Sequence, residues 1–172
     1  MTAAKWPDLL FDSLRRAGIA QVAYVPDAGH AALISRCQQS RGMRCVVLTT
    51  EEEGVAMLCG AWLGGQRGVL LMQSSGVGNC INMLGTVAEC RFPLLMLVTM
   101  RGEAGESNPW QVPMGQATGS VLAALGVVVE RAGHADEVAS RAEAAATLAF
   151  QGNRACAVLI AQSVVGFKGF GK

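Results

Sequence analysis

Charge is scarce in this chain. Asp, Glu, Lys and Arg make up 16% of its residues, against ~25% in ordinary soluble domains. A surface so poor in charge points to a large contact with another copy or another chain. The net charge of +1 gives no field to steer nucleic acid, and Arg15-Arg16 is the longest basic cluster, so nucleic-acid binding is excluded. Histidine is rarer still, with two residues, His30 and His134. The aspartates (Asp8, Asp12, Asp27, Asp136) stand singly, and no metal constellation can be assembled from these residues. No apolar run reaches the ~18–20 residues that cross a bilayer. The first residues lack the basic-then-apolar order of a secretory signal. The six cysteines, Cys37, Cys45, Cys59, Cys80, Cys90 and Cys156, form no CxxC pair and lie in apolar stretches. They read as buried free thiols in a reducing cytoplasm, not as a disulfide framework.

What the chain has in quantity is apolar residues, 51% of 172, enough for one domain with one core. Trp6, Leu9, Leu10 and Leu14 recur at helical spacing ahead of Gly18. Strands are predicted over 21–25, 44–48, 69–72, 93–99, 127–130 and 155–161, and helices over 30–39, 51–63, 77–89, 121–125 and 136–150. Residues 100–115 read as an irregular segment and the Gly-rich 166–172 as a loose tail, leaving 1–165 as the domain. Apolar strands alternating with helices predict an α/β fold, a doubly wound six-stranded parallel sheet covered on both faces. In such sheets ligands sit beyond the carboxyl ends of the strands. The loops on that edge are 26–30, 49–51, 73–79 and 101–115, and they hold most of the residues that packing alone does not explain.

Each of these loops carries a structural and a functional reading. In Thr49-Thr50-Glu51-Glu52-Glu53-Gly54, Thr50 with Glu53 makes a capping box and the glutamates suit a helix N-terminus. Yet the helix that follows is apolar nearly all round, which predicts burial on every side and a partly desolvated carboxylate at its entrance. Gln73-Ser75-Gly76-Gly78-Asn79 sits between strand and helix, where small residues let backbone approach a ligand. It fails as a dinucleotide fingerprint, with Ile81 at the third glycine position, and as a P-loop. The alternative is a tight turn capped by Ser75 or Asn79. The 101–115 segment is long for a connection inside a compact domain, and Glu103 and Gln111 are its candidates for polar contact. Asp27 and His30 flank a turn after the first strand; either has a site role or merely starts a helix.

The motifs together resemble the pyrimidine-binding domain of thiamine diphosphate enzymes. The block Glu51-Glu52-Glu53-Gly54-Val55-Ala56-Met57-Leu58-Cys59-Gly60-Ala61-Trp62 is similar to its signature of a glutamate, small residues along a helix, and a glycine nine positions on. Ala61 stands where an aromatic usually follows. Val25-Pro26-Asp27, Gln73-Ser74-Ser75-Gly76-Val77-Gly78-Asn79 and Arg101-Gly102-Glu103 with Gly105 resemble segments of the phosphonopyruvate and sulfopyruvate decarboxylases. The resemblance runs from about Tyr24 to Gly115. It implies that Glu51 is catalytic, hydrogen-bonding to the pyrimidine N1′ so that the cofactor is primed for 2-oxo acid decarboxylation. It also implies that Pro26, Gln73, Ser75, Gly76 and Asn79 bind the cofactor and that Asp27, His30, Glu103 and Gln111 lie on the substrate side. Where relatives read Gln-His, this chain has Gln111-Val112.

The Gly-Asp-Gly turn that holds the diphosphate and its Mg2+ in such enzymes does not occur in the chain. The resemblance therefore implies thiamine diphosphate shared with a partner β subunit that carries the diphosphate-binding domain and the Mg2+. A homodimer contact and a small anionic 2-oxo acid substrate are expected besides. The same residues also suit a subunit for another 2-oxo acid, or a non-catalytic assembly subunit.

Overall fold

The computed structural model describes residues 5–166. Helix α1 (Trp6–Arg16) leads into strand β1 (Ile19–Tyr24), followed by α2 (Ala31–Gln39), β2 (Arg44–Val47), α3 (Glu51–Leu63), β3 (Arg67–Gln73), α4 (Ser74–Cys90) and β4 (Leu94–Thr99). A single 3-10 turn (Pro109–Gln111) precedes α5 (Val112–Ala124), β5 (Val128–Ala132), α6 (Val138–Gly152), β6 (Ala155–Ile160) and the short α7 (Gln162–Val165). All strand pairings are parallel, in the order β2-β1-β3-β4-β6-β5. The doubly wound α/β sheet is as the strand–helix alternation predicts.

Strand side chains alternate between two cores, as the two-residue period of a pleated strand requires. Val22, Tyr24, Val69, Leu71, Leu95, Leu97, Val158 and Ile160 pack under α1, α2 and α6. Ala23, Leu70, Met72, Leu94, Met96, Val98, Ala157 and Leu159 pack under α3, α4 and α5. The central β4 is buried along its whole length.

Three local expectations need correction. Residues 73–79 are not a loop, because α4 starts at Ser74, directly after β3. Helix α5 spans 112–124, not 121–125. Its Gly115 and Gly119 are packing residues. A Cβ on Gly115 would overlap the Arg101 carbonyl, and one on Gly119 would lie 3.7 Å from Leu159 Cδ1. Helix α3 is not covered on every side: Glu53, Ala56 and Gly60 are exposed and Leu63 is 75% exposed. The tail expected over 166–172 lies outside the described residues but for Gly166.

The cysteines are all unpaired, but Cys90 is exposed and Cys45 half-buried, so the expectation of six buried thiols holds for four. Burial pushes the Cys37 and Cys80 thiols up to about 12 and the Cys156 thiol up to about 11. The thiolate is the reacting species. With a thiol reagent at pH 8, Cys90 of the folded chain is therefore expected to react first and Cys45 more slowly. Cys37, Cys59, Cys80 and Cys156 are expected to react only on unfolding, which mass spectrometry of the labelled chain reads directly. Fast labelling of Cys80 would contradict its burial beneath Glu51.

Among the described residues, no helix is long and apolar enough to cross a membrane.

Candidate active site

The chain leaves β1 for α2 on one face of the sheet and leaves β3 for α4 on the other. At such a switch open α/β sheets hold ligands in the crevice outside the carboxyl ends of the strands, here β1 and β3. At this edge Asp27 stands in the turn after β1, Gln73 ends β3, Thr99 ends β4 and Glu51 opens α3.

The three consecutive glutamates part company here. Glu53 is exposed and accepts the Thr49 N–H (2.8 Å), and Glu52 accepts the Thr50 hydroxyl (2.6 Å). The expected capping box of Thr50 with Glu53 does not form: Thr50 makes no side-chain cap bond, and Glu53 reaches the Thr49 N–H, not that of Thr50. Glu51 turns inward and is 7% exposed. Its Oε2 accepts the Asn79 Nδ2–H at 2.8 Å. On the other side its carboxylate rests against Gly76, where any Cβ would overlap Cγ, Cδ and Oε1. Glycine is therefore required at 76, in the first turn of α4. Glu51, Gly76 and Asn79 form one unit between α3 and α4.

A second unit centres on Asp27. Its Oδ1 accepts Gln73 Nε2–H (3.0 Å), and its Oδ2 accepts the Thr99 hydroxyl (2.6 Å) and the Gly29 N–H (3.1 Å). Gln73 Oε1 in turn accepts the Ser75 hydroxyl at 3.1 Å. Asp27 also lines a cleft of about 440 Å³ with Pro26, Tyr24, Ile34 and Gln38, in which Gln38 donates to the Tyr24 hydroxyl (2.7 Å).

The remaining sequence candidates make no side-chain hydrogen bond to either unit among the described residues. His30 is fully buried, with Nε2–H donating to the Leu97 carbonyl (3.0 Å). That bond leaves Nδ1 the acceptor, and Nδ1 has no partner among the described residues. Burial holds the ring below the ordinary histidine range, against the opposing pull of Asp27, so the ring packs beneath the crevice. Glu103 faces the other half of the sheet: it pairs with Arg131 (2.5 Å) and accepts the Gln162 N–H (2.9 Å). It lines a separate cavity of about 810 Å³ with Arg131, Gln116 and Leu159. Gln111 sits at the start of α5 with its Oε1 buried and without a partner among the described residues.

Sequence reasoning missed the pair that shapes the segment after β4. Arg101 Nε and Nη2 both donate to Glu106 at 2.6 Å, with side chains 11% and 2% exposed. Glu106 also accepts the Gly102 and Asn108 N–H groups and Gln162 Nε2, while the Arg101 N–H donates to Ser74 Oγ (3.1 Å). The segment is a stapled turn, not a solvated loop. A cation and an anion five residues apart in a stretch otherwise rich in glycine was the available signal.

A doubly wound parallel sheet with two carboxylates held at its switch point defines an α/β domain built to take a small ligand at that edge. The chain belongs to the family described as thiamine pyrophosphate enzyme, N-terminal TPP binding domain, which its residues 4–127 match. Over 116 residues it is 33% identical to the sulfopyruvate decarboxylase subunit alpha of Methanococcus maripaludis, covering 67% of this chain and 70% of that one. Over 107 residues it is 37% identical to the phosphonopyruvate decarboxylase of Streptomyces viridochromogenes, covering 61% of this chain and 27% of that longer protein. Among solved structures, the 2-oxoglutarate:ferredoxin oxidoreductase of Magnetococcus marinus superposes with a TM-score of 0.73 at 15% identity, over 94% of this chain and 29% of that one. That likeness is one of fold.

Proposed function

We propose that this chain is a subunit of a thiamine diphosphate-dependent decarboxylase of a small anionic 2-oxo acid, of the sulfopyruvate or phosphonopyruvate kind, and that Glu51 is its catalytic carboxylate. The observation that carries this is the placement of Glu51, withdrawn from water at the crevice with one oxygen fixed by Asn79 and the other against Gly76. The residues present fit the aminopyrimidine half of the cofactor: a carboxyl for a ring nitrogen, the Cβ-free wall of Gly76, and the Gln73–Ser75 pair for polar edges. When bound, thiamine diphosphate supplies the carbon nucleophile and the electron sink for decarboxylation. Glu51 would hold a proton toward the ring, and the Asn79 amide on Oε2 keeps the carboxyl plane from turning. Of the two residues that border the cleft, Pro26 faces the cofactor in this reading and Asp27 the substrate.

The diphosphate half has no counterpart here. The sequence has no Gly-Asp-Gly, and among the described residues no group of three or more His, Cys, Asp or Glu could hold a metal. A partner β subunit supplies that half together with Mg2+, and the exposed stripe Ala56, Gly60 and Leu63, on the face of α3 opposite Glu51, is the surface that it, or a second copy, covers. Unpaired cysteines go with a reducing cytoplasmic setting. Purified together with the chain that completes the site, the protein is expected to release carbon dioxide from sulfopyruvate or phosphonopyruvate when thiamine diphosphate and Mg2+ are added. Either chain alone is expected to release none. A complete complex that leaves both acids untouched would refute the assignment.

A further inference from the structure

We propose that Thr99 is a positioning residue, whose hydroxyl holds the Asp27 carboxylate and, through it, sets which way the Gln73 amide faces in the crevice. The role in catalysis rests on the function proposed above; the geometry does not. Thr99 closes β4, whose five preceding residues are all buried and apolar, and it is itself 1% exposed. Its single hydroxyl proton has two acceptors in reach, Asp27 Oδ2 at 2.6 Å and the Met72 carbonyl at 3.5 Å. The short bond to a carboxylate oxygen wins, since charge-assisted bonds are the shorter and stronger ones.

Three segments therefore meet on one carboxylate: Gly29 from its own turn, Thr99 from β4 and Gln73 from β3. Because Asp27 accepts only, Gln73 must present Nε2–H to it. That turns Gln73 Oε1 the other way, toward the Ser75 hydroxyl. The methyl of Thr99 adds a steric lock. It lies against Gly29, where a Cβ would come within 2.8 Å of Thr99 Cγ2 and of Val165 Cγ1. A β-branched side chain is stiff at χ1, and the rotamer that Thr99 adopts aims its hydroxyl at Asp27.

The test compares Thr99→Val, which keeps the shape and loses the donor, with Thr99→Ser, which keeps the donor. In the isolated full chain, the Gln73 side-chain amide signals in 1H–15N spectra are expected to shift or broaden in Thr99→Val and to stay near the wild-type positions in Thr99→Ser, with both variants folded. In the complex assembled with its partner, Thr99→Val is expected to lower kcat/KM about tenfold, as loss of one charge-assisted bond implies, and to shift its pH profile. Thr99→Ser restores most of that rate. Unmoved Gln73 signals in Thr99→Val, or equal losses of rate in both variants, would overturn the proposal. If the wild-type complex releases no carbon dioxide, the decarboxylase assignment fails while the amide spectra still decide the role of Thr99.

Discussion

Glu51→Gln, assembled with the partner subunit, is expected to lower kcat by about 10²- to 10⁴-fold, the range that a positioned proton donor or acceptor contributes. Glutamine keeps the size of the side chain and can still accept the Asn79 amide, so packing between α3 and α4 is retained. What it loses is an oxygen able to exchange a proton. Cofactor affinity and thermal midpoint are expected to change little, because the variant buries no new charge and opens no cavity. Glu52→Gln and Glu53→Gln serve as controls, since among the described residues those carboxylates bond only to Thr50 and to the Thr49 backbone, and they are expected to leave kcat near wild type. Gly76→Ala approaches Glu51 from the other side: the added methyl must displace the carboxylate, so its activity is expected to fall with that of Glu51→Gln while residue 51 remains a glutamate. A Glu51→Gln complex as active as wild type would favour the non-catalytic assembly role instead.

The sheet was legible in the sequence because its strands carry a simple signal. Buried parallel strands such as residues 94–99 are apolar on both faces, and the helices between them have their own period. Glu51 was legible through an imbalance, a cluster of acids at the mouth of a helix that is otherwise apolar. What stayed hidden depends on tertiary distance. Gly76, Gly78, Gly115 and Gly119 suggest turns when read locally, yet each lies inside a helix, and at Gly76 and Gly115 the missing Cβ admits a neighbouring group. The burial of His30 under the Leu97 carbonyl and the turn of Glu103 toward Arg131 and Gln162 are likewise set by partners 28 to 67 residues away. Thr99 shows the same limit, since a polar residue ending an apolar strand is ordinary until Asp27 is found 2.6 Å away.

The second large effect is expected at Glu106. Arg101 holds the Glu106 carboxyl well below the usual carboxylate range through two side-chain hydrogen bonds, against the opposing effect of burial, with help from the Asn108 and Gly102 N–H groups. Glu106→Ala leaves a guanidinium 11% exposed without its ion-pair partner, and breaking one side of a buried pair costs about 3–5 kcal/mol. Chemical denaturation at pH 7 should show a loss of that size. Because Gln162 bonds to both Glu103 and Glu106, the segment after β4 and α7 are expected to loosen together, which amide exchange over 101–108 and 162–165 would detect. The pH dependence has a definite sign. A carboxyl whose folded pKa is depressed stabilises the fold fully above its unfolded value, near ~4.3 for glutamate. It gives up that stabilisation as pH falls below there toward the folded value. Wild-type stability is therefore expected to decline on acidification from pH 5 to pH 2 more steeply than that of Glu106→Gln, which has no carboxyl at this position to titrate. Replacing both partners with apolar residues, Arg101→Met with Glu106→Leu, is expected to recover much of the loss at pH 7, since desolvating the two charges offsets most of their attraction. Parallel acid slopes for wild type and Glu106→Gln would mean that the pair does not stabilise the fold and that the turn is held by the Gly102 and Asn108 backbone instead.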